Sequence, residues 1–167
     1  MTGASLRVLF VCMGNICRSP LAEGIARHQF REQAPHWQFD SAGTGNWHCG
    51  EPPDKRAIAV AADNGIDISG LRARQIHSED FDRFDLILCA DHDNLAALQS
   101  LHRSDSRAQC DLLLRYAAHE NVLEVPDPYY GGNKQFAEVF LMLAQAMPSL
   151  RQRFVHHLDK RSATMRQ

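Results

Sequence analysis

Cys12, Arg18 and Ser19 stand in the order Cys-x5-Arg-Ser, and much later Asp127 is followed by Pro128, Tyr129 and Tyr130. These residue types can move a phosphoryl group. A cysteine thiolate is a strong nucleophile. The arginine fork fits phosphate oxygens. Gly14 and Asn15 let the chain curl, so the N–H groups of Met13, Gly14, Asn15, Ile16, Cys17 and Arg18 can converge on one anion with Cys12 at the floor of the cradle. The same amides, a following helix N-terminus and Arg18 all favour negative charge on sulfur. Asp127 is the candidate general acid, able afterwards to activate water. Pro128 keeps its backbone extended.

The surrounding elements place these groups where chemistry is expected. Leu6–Val11 is an apolar run that predicts a buried strand ending at Cys12. Pro20 suits the first turn of a helix whose inward face is Leu21, Ala22, Ile25 and Ala26. Trp37–Ser41 alternates like a strand. Pro53 to Asn64 predicts a helix stopped by Gly65. Arg74–Ile76 reads as a brief strand, Phe84–Cys89 as a strongly apolar one, and Asn94 to Leu101 as a helix. Cys110–Ala118 is mixed in character. Asn133 to Leu158 is a long amphipathic helix, with an interruption expected at Met147-Pro148. Strands alternating with helices imply an α/β fold of three layers: a central, mainly parallel four-stranded sheet flanked by helices. Ligands in such sheets bind at the carboxyl ends of strands, which is where Cys12 falls. Residues 1–161 are expected to form one domain, and Ser162 to Gln167 a loose tail.

Composition narrows the function. The net charge of −2 over 167 residues gives no general pull on nucleic acid. No apolar run approaches the 18 or so residues of a membrane span, and the N-terminus lacks the pattern of a signal peptide. Five cysteines, Cys12, Cys17, Cys49, Cys89 and Cys110, make an odd set without framework or Cys-x2-Cys spacing, so neither a disulfide scaffold nor a zinc site is expected. No metal or cofactor is called for. A reducing cytoplasm suits a nucleophilic thiol.

The chain resembles the low-molecular-weight protein tyrosine phosphatases. The matching pieces are VCMGNICRSP, DSAGT (Asp40 to Thr44), Trp47 with EPPD (Glu51 to Asp54), ARQI (Ala73 to Ile76), FDLILCAD (Phe84 to Asp91) and VPDPYYGG (Val125 to Gly132), in family order. The resemblance implies a metal-independent phosphatase that hydrolyses phosphotyrosine and small aryl phosphates through a cysteinyl-phosphate. Cys12 would be the nucleophile, Arg18 and the loop amides the phosphate site, and Asp127 the acid and base. It implies that Asn15 braces the loop and that Ser19 hydrogen-bonds the sulfur; a left-handed turn at Asn15 and a helix N-cap at Ser19 are the plainer roles. Trp47, Tyr129 and Tyr130 would wall a slot deep enough for a phenyl phosphate, although Trp47 and Tyr130 can equally be core. Cys12 and Cys17 form a candidate redox pair, against a reading of Cys17 as a small hydrophobe. In some members a histidine just before the Ala-Arg-Gln segment pairs with an aspartate matching Asp91. Here Gly70, Leu71 and Arg72 stand there, leaving Asp91 as a local cap or turn residue. The partners implied are phosphotyrosine proteins and a cognate tyrosine kinase, and the protein is expected to be a monomer. Two other readings use the same loop: an arsenate reductase relaying electrons through further cysteines, and a phosphate carrier or phosphotyrosine-binding module, which has no use for Asp127.

Overall fold

The computed structural model describes residues 3–167. The apolar run Leu6–Cys12 is β1, and every residue in it but Arg7 is buried. It pairs in parallel with β2 (Trp37–Gly43) on one side and with β3 (Leu86–Cys89) on the other. β4 (Gln109–Leu112) extends the sheet beside β3, so the order is β2-β1-β3-β4 and all four strands are parallel. A parallel strand at the centre of a sheet is covered on both faces, which is why β1 reads as a continuous apolar run rather than an alternating one. Val8, Phe10 and Cys12 face one layer, with Phe30, Phe39 and Phe154; Leu9 and Val11 face the other, with Phe81, Ile87 and Leu98.

The helices are α1 (Arg18–Phe30), α2 (Lys55–Asp63), α3 (Asp80–Arg83), α4 (His92–Leu101), α5 (Leu113–Tyr116) and α6 (Asn133–Met165). α6 packs on α1 and α2. The chain leaves β1 towards β2 on one side and reaches β3 on the other, so the carboxyl end of β1 lies at the switch in strand order, where a crevice opens.

Three local expectations are corrected. Arg74–Ile76 is not a strand but a single parallel bridge from Gln75 to Gly43, because it meets β2 only at that strand's last residue. α6 runs unbroken through Pro148; burial of Ala146, Met147, Leu150 and Phe154 outweighs the one missing donor. Residues 162–165, expected in a loose tail, continue that helix, since nothing in Ser162-Ala163-Thr164-Met165 stops it. Cys110–Ala118, expected to be mixed in character, holds the end of β4 and the short α5. Among the described residues no helix is long and apolar enough to cross a membrane.

Candidate active site

β1 ends at Cys12 and α1 begins at Arg18, so residues 13–17 must turn the chain within one loop. The turn is made at Asn15, whose φ is +58°. The loop's carbonyls face outward: Cys12 O accepts from Thr44 N (2.9 Å), Met13 O from Gly45 N (3.0 Å) and Ile16 O from Asp54 N (2.8 Å). Among the described residues the N–H groups of residues 13–17 donate to no protein acceptor, which leaves a row of donors for an anion. Gly43 permits the close approach of β2: a Cβ there would lie 2.8 Å from Met13 O.

Behind the loop runs a polar chain. Cys12 Sγ lies 3.0 Å from Ser19 Oγ. Asn15 Nδ2 donates to Ser19 Oγ (2.7 Å) and to Ser41 Oγ (3.0 Å), while Asn15 Oδ1 accepts from Arg74 N (3.0 Å). Ser19 Oγ already accepts from Asn15, and its single proton faces the sulfur at 3.0 Å and Ala42 O at 3.5 Å; donation to the nearer sulfur is the arrangement that suits a thiolate. Asn15 thus makes the left-handed turn while its side chain bonds Ser19, Ser41 and the Arg74 backbone. Ser19 is not the cap of α1; that position is Cys17, and Ser19 is spent on Cys12. The chain ends at Glu23, a buried carboxyl whose Oε1 accepts from Ser41 Oγ (2.7 Å). Burial pushes Glu23 above the usual carboxylate range, partly offset by Ser41 and Arg27.

Arg18 is 3 % exposed. Its Nη1 donates to Asp91 Oδ2 (2.6 Å) and to Val125 O (3.0 Å), and its Nη2 lies 3.7 Å from Asp127 Oδ2. Burial opposes the guanidinium's charge, but Cys12, Asp91 and Asp127 outweigh it and hold the proton more tightly than usual. Asp91 is therefore more than a local cap. It caps α4, with Oδ1 accepting from Asn94 N (2.8 Å), and it also anchors Arg18 through its other oxygen.

Cys12, Met13, Gly14, Ile16, Cys17, Arg18, Trp47, His48, Asp127, Tyr129 and Tyr130 line a cleft of roughly 250 Å³. Asp127 stands across it, with Oδ1 accepting from Tyr129 N (3.1 Å) in a tight turn. Trp47 and Tyr130 are not core: they are 67 % and 93 % exposed. Tyr130 meets Tyr129 edge to face at 5.0 Å. Trp47 folds back on its own loop, and a Cβ at Gly45 would fall 1.7 Å from its ring. Burial, with Asp54 and Cys12 nearby, pushes the Cys17 thiol far up, so it stays protonated. Asn15 and Ser19 sit behind the cleft rather than in it.

Several working residues escape a sequence reading. Ser41 and Arg74 lie inside motifs that stand out, but nothing in their spacing points to Asn15. Glu23 sits on α1 as an ordinary helix carboxylate, and Arg56 two residues past the helix cap Asp54. His48, whose Nδ1 is 2.6 Å from Glu51 Oε2, is visible only as the neighbour of Trp47.

Residues 7–162 match the family described as "Low molecular weight phosphotyrosine protein phosphatase". The low molecular weight protein-tyrosine-phosphatase YfkJ of Bacillus subtilis is 40 % identical over 136 residues, covering 80 % of this chain and 86 % of that protein. The crystal structure of a protein tyrosine phosphatase from Entamoeba histolytica superposes with a TM-score of 0.84 at 33 % identity, covering 91 % of this chain and 98 % of that one. A Drosophila arginine phosphatase superposes with a TM-score of 0.82 at 30 % identity, over 92 % and 98 % of the two chains. The chain belongs to the low-molecular-weight protein-tyrosine-phosphatase family.

Proposed function

We propose that the protein hydrolyses phosphotyrosine in two displacements at phosphorus. The Cys12 thiolate attacks in line; an S–P bond forms as the P–O bond to the phenol breaks. Asp127 gives its proton to the departing phenolate, and the resulting carboxylate takes a proton from the water that attacks the cysteinyl-phosphate. The S–P bond breaks, phosphate leaves and the thiolate returns. The loop amides and Arg18 stabilise the equatorial oxygens through both steps. Trp47 and Tyr129 guide a flat ring, with Tyr130 at the outer rim.

The observation that carries this reading is the convergence of Cys12, Arg18 and Asp127 on one aromatic-walled cleft. The arsenate-reductase reading loses ground because Cys89 packs on the face of the sheet opposite Cys12. A carrier or binding module leaves Asp127 without a task. The substrates would be phosphotyrosine proteins, the work of a cognate tyrosine kinase. A monomer in a reducing cytoplasm fits a mechanism that needs a free thiol.

The test is kcat/KM on matched peptides carrying phosphotyrosine, phosphoserine, phosphothreonine and phosphoarginine, with and without excess EDTA. Phosphotyrosine should lead by orders of magnitude, unchanged by EDTA. Equal rates on the four, or activity lost in EDTA and restored by Zn²⁺ or Mg²⁺, would refute the proposal. A lead for phosphoarginine would keep the displacement chemistry and change the substrate.

A further inference from the structure

Arg56 lies in the first turn of α2 and does not line the cleft, yet it ties the cleft's two sides together. Its Nη1 donates to Gly131 O (2.8 Å) and its Nη2 to Tyr129 O (3.0 Å). Its Nε and Nη2 also fork onto Asp54 Oδ1 (3.0 Å) and Oδ2 (2.9 Å). The guanidinium stacks 4.4 Å from the Phe136 ring centre and 5.8 Å from that of Tyr129.

Both ends of this clamp lead into the site. Asp54 N donates to Ile16 O (2.8 Å), in the loop that follows Cys12. Tyr129, whose carbonyl Arg56 holds, donates its N–H to Asp127 Oδ1 (3.1 Å). Ile16, Asp54, Arg56, Tyr129 and Asp127 are thus joined by consecutive hydrogen bonds. Among the described residues the turn at 127–132 pairs with no strand of the sheet, and Asp127 Oδ2 stands only 3.7 Å from Arg18. Without an outside anchor the carboxyl can collapse onto that guanidinium.

We propose that Arg56 is a positioning residue for Asp127: it fixes the 127–132 turn at the distance from the Cys12 loop at which the carboxyl meets the leaving oxygen. This rests on Asp127 acting as the general acid. Lysine cannot replace Arg56, because one ammonium cannot span two carbonyls and both oxygens of Asp54 in a planar fork.

The experiment measures kcat/KM over aryl phosphates whose leaving groups range from dinitrophenol to phenol, together with inhibition by inorganic phosphate. The proteins are wild type, Arg56→Ala, Arg56→Lys, Asp127→Ala and the double variant Arg56→Ala/Asp127→Ala. Displacing a reacting group by about 1 Å costs on the order of 100-fold. Arg56→Ala should therefore lose about 10- to 100-fold on phenyl phosphate. It should lose little on dinitrophenyl phosphate, whose leaving group needs no proton, and bind inorganic phosphate as the wild type does. Arg56→Lys should fall between. In the Asp127→Ala background, Arg56→Ala should add no further loss.

Equal losses across the series, or losses that multiply in the double variant, would overturn the proposal and leave Arg56 a structural residue. If Arg56→Ala does not fold, Arg56→Lys carries the same comparison. If Asp127→Ala shows no dependence on the leaving group, the acid assignment fails and the Arg56 proposal fails with it. A leaving-group effect in Asp127→Ala but not in the Arg56 variants overturns the Arg56 proposal alone.

Discussion

Asp91 holds Arg18 at 2.6 Å through one carboxylate oxygen while the other caps α4. The start of α4 is thereby fixed to Arg18, the arginine proposed to bind phosphate, and the charge on Arg18 is balanced within the protein. The pair is mostly buried, so losing one partner costs more than losing a surface ion pair.

Asp91→Ala should weaken inhibition by inorganic phosphate and lower kcat/KM together, by about 10- to 100-fold, because Arg18 loses its aim. It should also cost about 1 kcal/mol of stability through the lost cap. Asp91→Asn keeps the cap and should lose less stability than Asp91→Ala while still losing phosphate affinity. Normal phosphate inhibition in Asp91→Ala would show that Val125 O alone positions Arg18.

Gly45 gives Trp47 its place, since a methyl group there would occupy the same space as the indole ring. The glycine's φ is not in the left-handed region, so alanine suits the backbone and the ring must move. Gly45→Ala and Trp47→Ala should each raise KM for phosphotyrosine peptides by about 2- to 10-fold, the worth of an aromatic pair. Neither should alter inhibition by inorganic phosphate. Their effects should not add in the double variant; full additivity would detach Gly45 from the wall.

Glu23 makes stability depend on pH in a defined direction. Its carboxyl is raised by burial, so the fold favours the protonated form. The stabilisation this gives is fully present below the ordinary carboxylate range and is lost as pH rises through the raised value in the fold. Glu23→Gln keeps an acceptor for Ser41 and removes the titration. Urea unfolding should show the variant gaining on the wild type as pH rises through that window, with a constant difference on either side. A gap that stays flat from acid to neutral pH would remove Glu23 from the titrating groups.

Much of this was legible in the sequence. The strand-loop-helix around Cys12 was readable because local spacing decides it: an apolar run, a loop of five residues, then Pro20 in the first turn of α1. That the sheet is parallel followed from alternation of strands and helices. What was not legible depends on distance in sequence. Arg18 meets Asp91 across 73 residues, and Arg56 meets Tyr129 across 73 more. No periodicity encodes such pairs. Glu23 hides because its partner, Ser41, comes from the neighbouring strand. Pro148 misleads because the local rule against helix proline yields to burial along α6.

Cys12 and Cys17 are both buried free thiols that line the same cleft. We expect peroxide to oxidise Cys12 to a sulfenic acid, which Cys17 captures as a disulfide with loss of water. The raised Cys17 thiol makes that capture slow at neutral pH and faster as pH rises. Dithiothreitol should restore activity in the wild type, and Cys17→Ser should be active but recover poorly. Full recovery of Cys17→Ser would leave Cys17 a packing residue.

The central claim is that phosphate passes through Cys12 sulfur. Wild-type protein mixed with excess p-nitrophenyl phosphate, quenched in acid during turnover and digested, should carry one phosphoryl group on the peptide containing Cys12. The label should be absent from Cys12→Ser, which should also release no p-nitrophenol. A phosphoryl group on any other residue, or continued turnover by Cys12→Ser, would contradict the account.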